Sequence, residues 1–184
     1  MGKFKVISQV PSGVKLLEPA VYGDNRGYFI ETYNRDDLAE IGITDNFIQD
    51  NESMSVYGVV RGLHYQAMPH TQAKLVRVIS GTVLDVAVDI RKDSPDFGKV
   101  FYAELSGENH RQFYIPRGFA HGFAVLSEQA VFAYKCDNFY NQESECGIAF
   151  NDPALTIDWQ IPEDKMILSA KDLCHPHFKD AKFL

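Results

Sequence analysis

The sequence predicts an all-β protein, a sandwich or a barrel of many short strands, and three observations carry that prediction. Apolar residues recur with the period of two that sends alternate side chains to one face of a strand, in runs rich in Val, Ile, Phe and Tyr. Gly, Pro, Asn, Asp and Ser interrupt these runs at short intervals, as turns require. With 184 residues and neither an internal repeat nor a low-complexity linker, the chain is expected to form one domain, residues 1–184. A chain of this length buries about 70% of its unfolded surface in one core.

The elements follow in order. A strand is expected at residues 28–33, then one or two helical turns at 36–41. Residues 59–65 read as a buried strand that nevertheless holds Arg61 and His64, an unusual use of inward positions. Residues 75–79 and 83–90 alternate strongly on either side of Ser80-Gly81-Thr82, so the two runs are expected to pair as an antiparallel hairpin. In the second run Leu84, Val86, Val88 and Ile90 share one face, while Asp85, Ala87, Asp89 and Arg91 share the other. That polar face turns either to solvent or to a cavity. Further strands are expected at 100–105, 112–115, 119–126, 130–135 and 147–150, whereas 163–171, after Pro162, is too mixed in polarity for a helix. Jelly rolls often keep a cavity between their sheets, a natural ligand site.

Composition narrows the function. A net charge of -7 and a pI near 5.3 argue against non-specific binding to nucleic acid or an anionic membrane, so an anionic ligand has to meet a local cationic pocket. Cys136, Cys146 and Cys174 are odd in number and include no C-x-x-C pair, which points to a reducing cytoplasm and away from a disulfide framework. The apolar stretch after Lys3 and Lys5 is too short and interrupted for a signal peptide or a membrane span, and Gly2 lacks the hydroxyl of a myristoylation signal because position 6 is Val6. A soluble chain is expected.

His64 is the first candidate for chemistry, since imidazole exchanges protons near neutral pH. Lys74 begins the next strand and can stabilise charge developing on a substrate oxygen. His121 sits among apolar and glycine neighbours in Phe119-Ala120-His121-Gly122-Phe123, and the phenol of Tyr134 can act as a general acid. Metal-binding cupins take their first two ligands from H-x-H on one strand. This chain has Gln66 in the second place, with His70 in a Pro-marked loop, so no metal is expected. A nucleophile elbow, a P-loop and a dinucleotide fingerprint are also missing, and no cofactor is expected. What remains is proton abstraction next to a carbonyl, with a cation holding the enolate and an acid on the opposite face returning the proton: an epimerase. A carboxylate that orients the histidine has three candidates, Asp85, Asp89 and Asp172.

The segments RGLHYQ, KLVRVISGTVLDVAVDIRKDSPDFGK, IPRGFAHGF, Tyr134-Lys135 and LSAKD, in this order between about Glu18 and Asp172, resemble the dTDP-4-dehydrorhamnose 3,5-epimerase family. The resemblance implies a cupin-type double-stranded β-helix, or jelly-roll barrel, with a few short helices and no metal, working as a homodimer. It implies inversion of C3 and C5 of dTDP-4-dehydro-6-deoxy-D-glucose, on the route to dTDP-L-rhamnose. By motif, His64 matches the family's base, Asp172 its paired carboxylate, Tyr134 the proton donor and Lys74 the lysine near the C4 oxygen. Arg61 and His121 resemble substrate contacts. Arg26, Glu31, Gln49, Asp50 and Asn51 match nucleotide-binding positions, and Glu145 and Lys171 are further matches.

Two features depart from simple expectation. Arg61 and His64 have opposite parity, so a regular strand would send them to opposite faces unless Gly62 hosts a bulge or Arg61 serves another site. The family often has two tyrosines after Tyr134-Lys135, and Phe139-Tyr140 replaces the first. Related barrels invert C3 alone or move a keto group between C3 and C4. Those reactions are the nearest alternatives, followed by a metal-dependent cupin and a sugar-nucleotide binding module without catalysis.

Overall fold

Thirteen strands carry the fold in the computed structural model, which describes residues 3–183. They are β1 (Phe4–Gln9), β2 (Lys15–Pro19), β3 (Val21–Asp24), β4 (Gly27–Ile30), β5 (Gln49–Val56), β6 (Val60–Gln66) and β7 (Lys74–Ser80). β8 (Thr82–Asp89), β9 (Val100–Ser106), β10 (Gln112–Ile115), β11 (Phe119–Val125), β12 (Gln129–Cys136) and β13 (Glu145–Gly147) follow. One short helix, α1 (Arg35–Glu40), is capped by Asn34, whose side chain accepts from the Asp36 and Asp37 amides. Residues 163–171 hold a single 3-10 turn, Glu163–Lys165, and a parallel bridge from Ile167 to Val59.

Two antiparallel sheets face each other. The first has the order β1-β2-β10-β7-β12-β5 and the second β13-β6-β11-β8-β9, while β3 and β4 form a separate hairpin. This is the jelly-roll arrangement, and it overturns the hairpin expected around Gly81. β7 pairs with β10 and β12, whereas β8 pairs with β9 and β11. Gly81, with φ of +80°, turns the chain across from one sheet to the other instead of back alongside itself. Alternation specifies which side chains share a face, and Val76 and Val83 do meet in one core, but across the sheets.

Packing explains why both faces of β8, β10 and β11 are buried. Between the sheets lie Val76, Val78, Ala87, Leu105, Phe123 and Phe132. The greasy face of β8, with Leu84, Val86, Val88 and Ile90, is covered from outside by the C-terminal segment through Ile148, Leu155, Trp159 and Ile161. The helix side covers the other sheet with Leu38 and Ile43 against Phe4, Leu17 and Leu75. Asp85 and Asp89, on the polar face of β8, are wholly buried, so that face lines the interior. Such burial demands partners, and each carboxylate has them.

Candidate active site

His64 owes its direction to an irregularity. On β11 the step from His121 to Phe123 opposes the longer step from His64 to Arg61 on β6, so one residue of β6 is extra. Gly62, with φ of +115°, absorbs it. A Cβ at Gly62 would stand 2.6 Å from the Cα of Gly122 and 2.7 Å from the His121 carbonyl oxygen, so the two strands approach as closely as glycine permits. The bulge resolves the parity conflict: Val60 and Leu63 pack outward under the C-terminal segment, and Arg61 and His64 both line the inner cavity.

Asp172 reaches His64 from far along the chain. β13 pairs with β6 only as far as Gly147 opposite His64, and Leu63 and Ile148 exchange two more backbone bonds. The Gly62 N–H then donates to Asp172 Oδ1 at 3.3 Å, and His64 Nε2 stands 2.6 Å from the same oxygen. Ser169 Oγ donates to Oδ2 at 2.6 Å. Burial of Asp172 pushes its pKa up, but the hydrogen bonds from His64, Ser169 and Gly62 outweigh it and hold the carboxyl at about 2. An ionised acceptor at Nε2 fixes the tautomer with the proton on that nitrogen, leaving the Nδ1 lone pair free. The Asp172 side chain is 4% exposed and that of His64 is 32% exposed, so the imidazole faces the cavity and the carboxylate bonded to it is enclosed.

The opposite wall comes from the other sheet. Lys74 opens β7 and Tyr134 lies on β12, with Lys74 Nζ 5.9 Å from the centre of the Tyr134 ring. Burial lowers the Lys74 pKa against the pull of Cys136, Asp85 and Glu145. Burial and the nearby Cys136 raise that of Tyr134, with Arg61 acting in the other direction, so the phenol keeps its proton at neutral pH. His121 is opposite His64 in the register and 2.9 Å from Asp85 Oδ1; burial lowers its pKa although Asp85 opposes the shift. Of the three carboxylates open to His64, Asp85 thus serves His121, and Asp89 holds Arg91 and Ser94.

One cavity of about 530 Å³ brings together Arg61, His64, Lys74, His121 and Tyr134 with Asp50 and Asn51. A neighbouring lobe of about 300 Å³ shares Asn51, His64, Lys74 and Tyr134, and adds Gln49, Tyr140 and Glu145. Glu145 is bonded by Lys171 and by Tyr140 Oη at 2.7 Å, and these contacts outweigh its burial to lower its pKa. Arg26 and Glu31 line neither space. Arg26 pairs with Asp24 at the tip of the exposed β3-β4 hairpin, and Glu31 pairs with Lys3. Gln66 spends its amide on the carbonyls of His70 and Phe139 and on the Asn141 N–H, and His70 turns to Ser144.

Sequence reasoning missed Ser169, Ser55 and His175. Ser169 completes the Asp172 carboxylate, and its place three residues before Asp172 was a legible signal. Ser55 accepts from Arg61 at 3.1 Å, a contact across two strands that no spacing reveals. His175 meets the ring of His64 edge-on with centroids 5.4 Å apart.

Comparison with known proteins points one way. The family model described as dTDP-4-dehydrorhamnose 3,5-epimerase matches residues 9–180. A solved dTDP-4-dehydrorhamnose 3,5-epimerase from Elizabethkingia anophelis NUHP1 is 56% identical, with a TM-score of 0.92 over 97% of this chain and 98% of that one. A dTDP-6-deoxy-D-glucose-3,5-epimerase from Legionella pneumophila Philadelphia 1, solved in complex with dTDP-4-keto-L-rhamnose, is 51% identical, with a TM-score of 0.92 over 96% of this chain and 94% of that one. The Pseudomonas aeruginosa dTDP-4-dehydrorhamnose 3,5-epimerase is 52% identical over 169 residues, 91% of this chain and 92% of its own length.

Proposed function

The chain belongs to the dTDP-4-dehydrorhamnose 3,5-epimerase family, and we propose that it inverts C3 and C5 of dTDP-4-dehydro-6-deoxy-D-glucose to give dTDP-4-dehydro-L-rhamnose, for dTDP-L-rhamnose biosynthesis. One observation carries the mechanism: His64 and Tyr134 stand on opposing sheets and face a single cavity. A sugar ring between them has a base on one face and an acid on the other, as inversion demands.

In this reading His64 Nδ1 takes the proton next to the C4 ketone while Asp172 steadies the imidazolium. The electron pair moves to the C4 oxygen, where Lys74 holds the enolate, and Tyr134 delivers a proton to the opposite face. The same step at the other carbon completes the double inversion. Arg61 and His121 hold the sugar and diphosphate, and Gln49, Asp50 and Asn51 border the nucleotide, with Glu145 and Lys171 at the rim. The protein acts as a single-domain, cytoplasmic homodimer whose β3-β4 hairpin carries Arg26 and Glu31 to the partner's nucleotide. Support for the hairpin's role comes from Val21, Tyr22, Tyr28 and Phe29, apolar residues exposed on it. Among the described residues no helix is long and apolar enough to cross a membrane.

Turnover in heavy water tests the reaction. Label is expected at both C3 and C5 of the product; label at C3 alone identifies a mono-epimerase, and binding without exchange identifies a non-catalytic module.

A further inference from the structure

Beside the proposed base stands an imidazole that the reaction does not use. His175 follows the 3-10 turn that begins at Asp172, and its side chain is 10% exposed. Its ring lies flat against Gly147, where a Cβ would meet ring atoms at 2.4 to 2.5 Å. Its Nε2 is buried and has no hydrogen-bond partner. The nitrogen stands 3.8 Å from Asp172 Oδ1, beyond hydrogen-bonding reach. A buried polar atom left unpaired is costly and calls for a ligand.

That oxygen is the one held by His64 Nε2 at 2.6 Å. The ligand atoms of His64, Asp172 and His175 all lie within 4.8 Å of one another. Two imidazole nitrogens and a carboxylate oxygen are the donor set of zinc, whose bonds of about 2.0–2.2 Å separate tetrahedral ligand atoms by roughly 3.3 Å. The two edges at Asp172, 2.6 and 3.8 Å, bracket that separation, and the third, between the imidazoles, lies within 4.8 Å, so rotation of the His175 side chain toward His64 is what closes the triangle.

We infer that His64, Asp172 and His175 form an inhibitory site for a divalent transition metal, Zn²⁺ foremost, which stops epimerisation by capturing the base. Without metal, the proton of the neutral His64 ring sits on Nε2 and the Nδ1 lone pair accepts the substrate proton. Metal on Nε2 moves the ring proton to Nδ1, and the lone pair that the reaction needs is gone. The ring keeps one proton throughout. Because the metal uses the base itself, it opposes turnover, which separates this site from a cofactor site. The inhibition rests on His64 being the base; the existence of the site does not.

Zinc chloride added to chelator-stripped enzyme provides the test, followed in parallel by calorimetry and by proton exchange. One zinc per chain is expected, with exchange lost as the site fills and restored by EDTA. His175→Gln and His175→Phe should turn over normally in chelator and bind zinc more weakly by about tenfold or more. Cys174→Ser, at the exposed thiol next to His175, should change nothing. Equal zinc affinity in the His175 variants, loss of binding in Cys174→Ser, or zinc bound with exchange intact would overturn the inference. Cobalt in the unaltered enzyme gives a check that needs no variant: a sulfur charge-transfer band would place the metal elsewhere. Full exchange in His64→Ala would instead defeat the assignment of the base, leaving the metal site to calorimetry.

Discussion

His64 and His121 stand opposite each other on neighbouring strands, and each faces an aspartate, yet their surroundings give them different work. His121 is 7% exposed, stacked on Phe132 and locked to Asp85, a group built to stay in place. His64 opens to the cavity and keeps one nitrogen free. Its dependence on Asp172 is testable: Asp172→Asn should reduce kcat by about 10²- to 10⁴-fold by releasing the tautomer. The same substitution should cost on the order of 2 kcal/mol of stability at pH 7, from a folded pKa of about 2 against an ordinary 3.8. Because the folded value is depressed, that contribution is complete above pH 4 and fades as pH falls through 2, so urea titrations should show the two proteins converging in acid. Tyr134→Phe should lower kcat by about 10²-fold or more while leaving nucleotide-sugar affinity close to unchanged, as equilibrium binding would show. Which residues are candidates for protonic chemistry was legible in the sequence from their types and from motif order, and the fold brings His64, Lys74, His121 and Tyr134 to one cavity. The partner of His64 was legible only through motif order, which pairs it with Asp172; composition and spacing leave Asp85, Asp89 and Asp172 equivalent, and the partner of His121 appears only when the chain folds.

At the scale of elements the bulge in β6 is the decisive feature. Gly62→Ala places a methyl against Gly122 and the His121 carbonyl at a backbone conformation unsuited to alanine. A loss of about 2 to 4 kcal/mol is expected in thermal or urea unfolding, together with reduced kcat as Arg61 and His64 shift. Gly27→Ala in the β3-β4 hairpin is the contrast, since φ there is +127° but no atom lies within 4 Å of the added carbon. It should cost only about 1 kcal/mol. The strands from β6 to β12 were readable at this scale, whereas β1, β2 and β3 were not, and nor was β5, Gln-Asp-Asn-Glu-Ser-Met-Ser-Val. It is an edge strand with a largely polar sequence, held by pairing to β12 rather than by burial.

The whole molecule reconciles an acidic chain with an anionic substrate. Net charge is -7, but the cavity gathers Arg61 and Lys74 with two histidines against Asp50 and Glu52, so cations are concentrated where an anionic ligand needs them although the chain as a whole is acidic. In isolation the chain leaves Arg26 and Glu31 outside that cavity, and a second copy is the economical way to bring them in. Sedimentation should give about twice the 20.8 kDa chain mass. Arg26→Ala should raise KM for the dTDP-sugar without lowering the melting temperature, because its ion pair with Asp24 is exposed. A monomer with full activity, or an unchanged KM, would refute the role given to the hairpin.

By itself the sequence determined the strand class, the two faces of β8 and the residue types available for proton transfer. These follow from local rules: side chains alternate along an extended backbone wherever it lies. Only the tertiary structure decided that β7 and β8 belong to different sheets, that Gly62 turns Arg61 and His64 to one side, and that Asp85 meets His121. Strand partners and long-range hydrogen bonds are set by how whole sheets pack over a shared core, and periodicity along the chain carries no record of them.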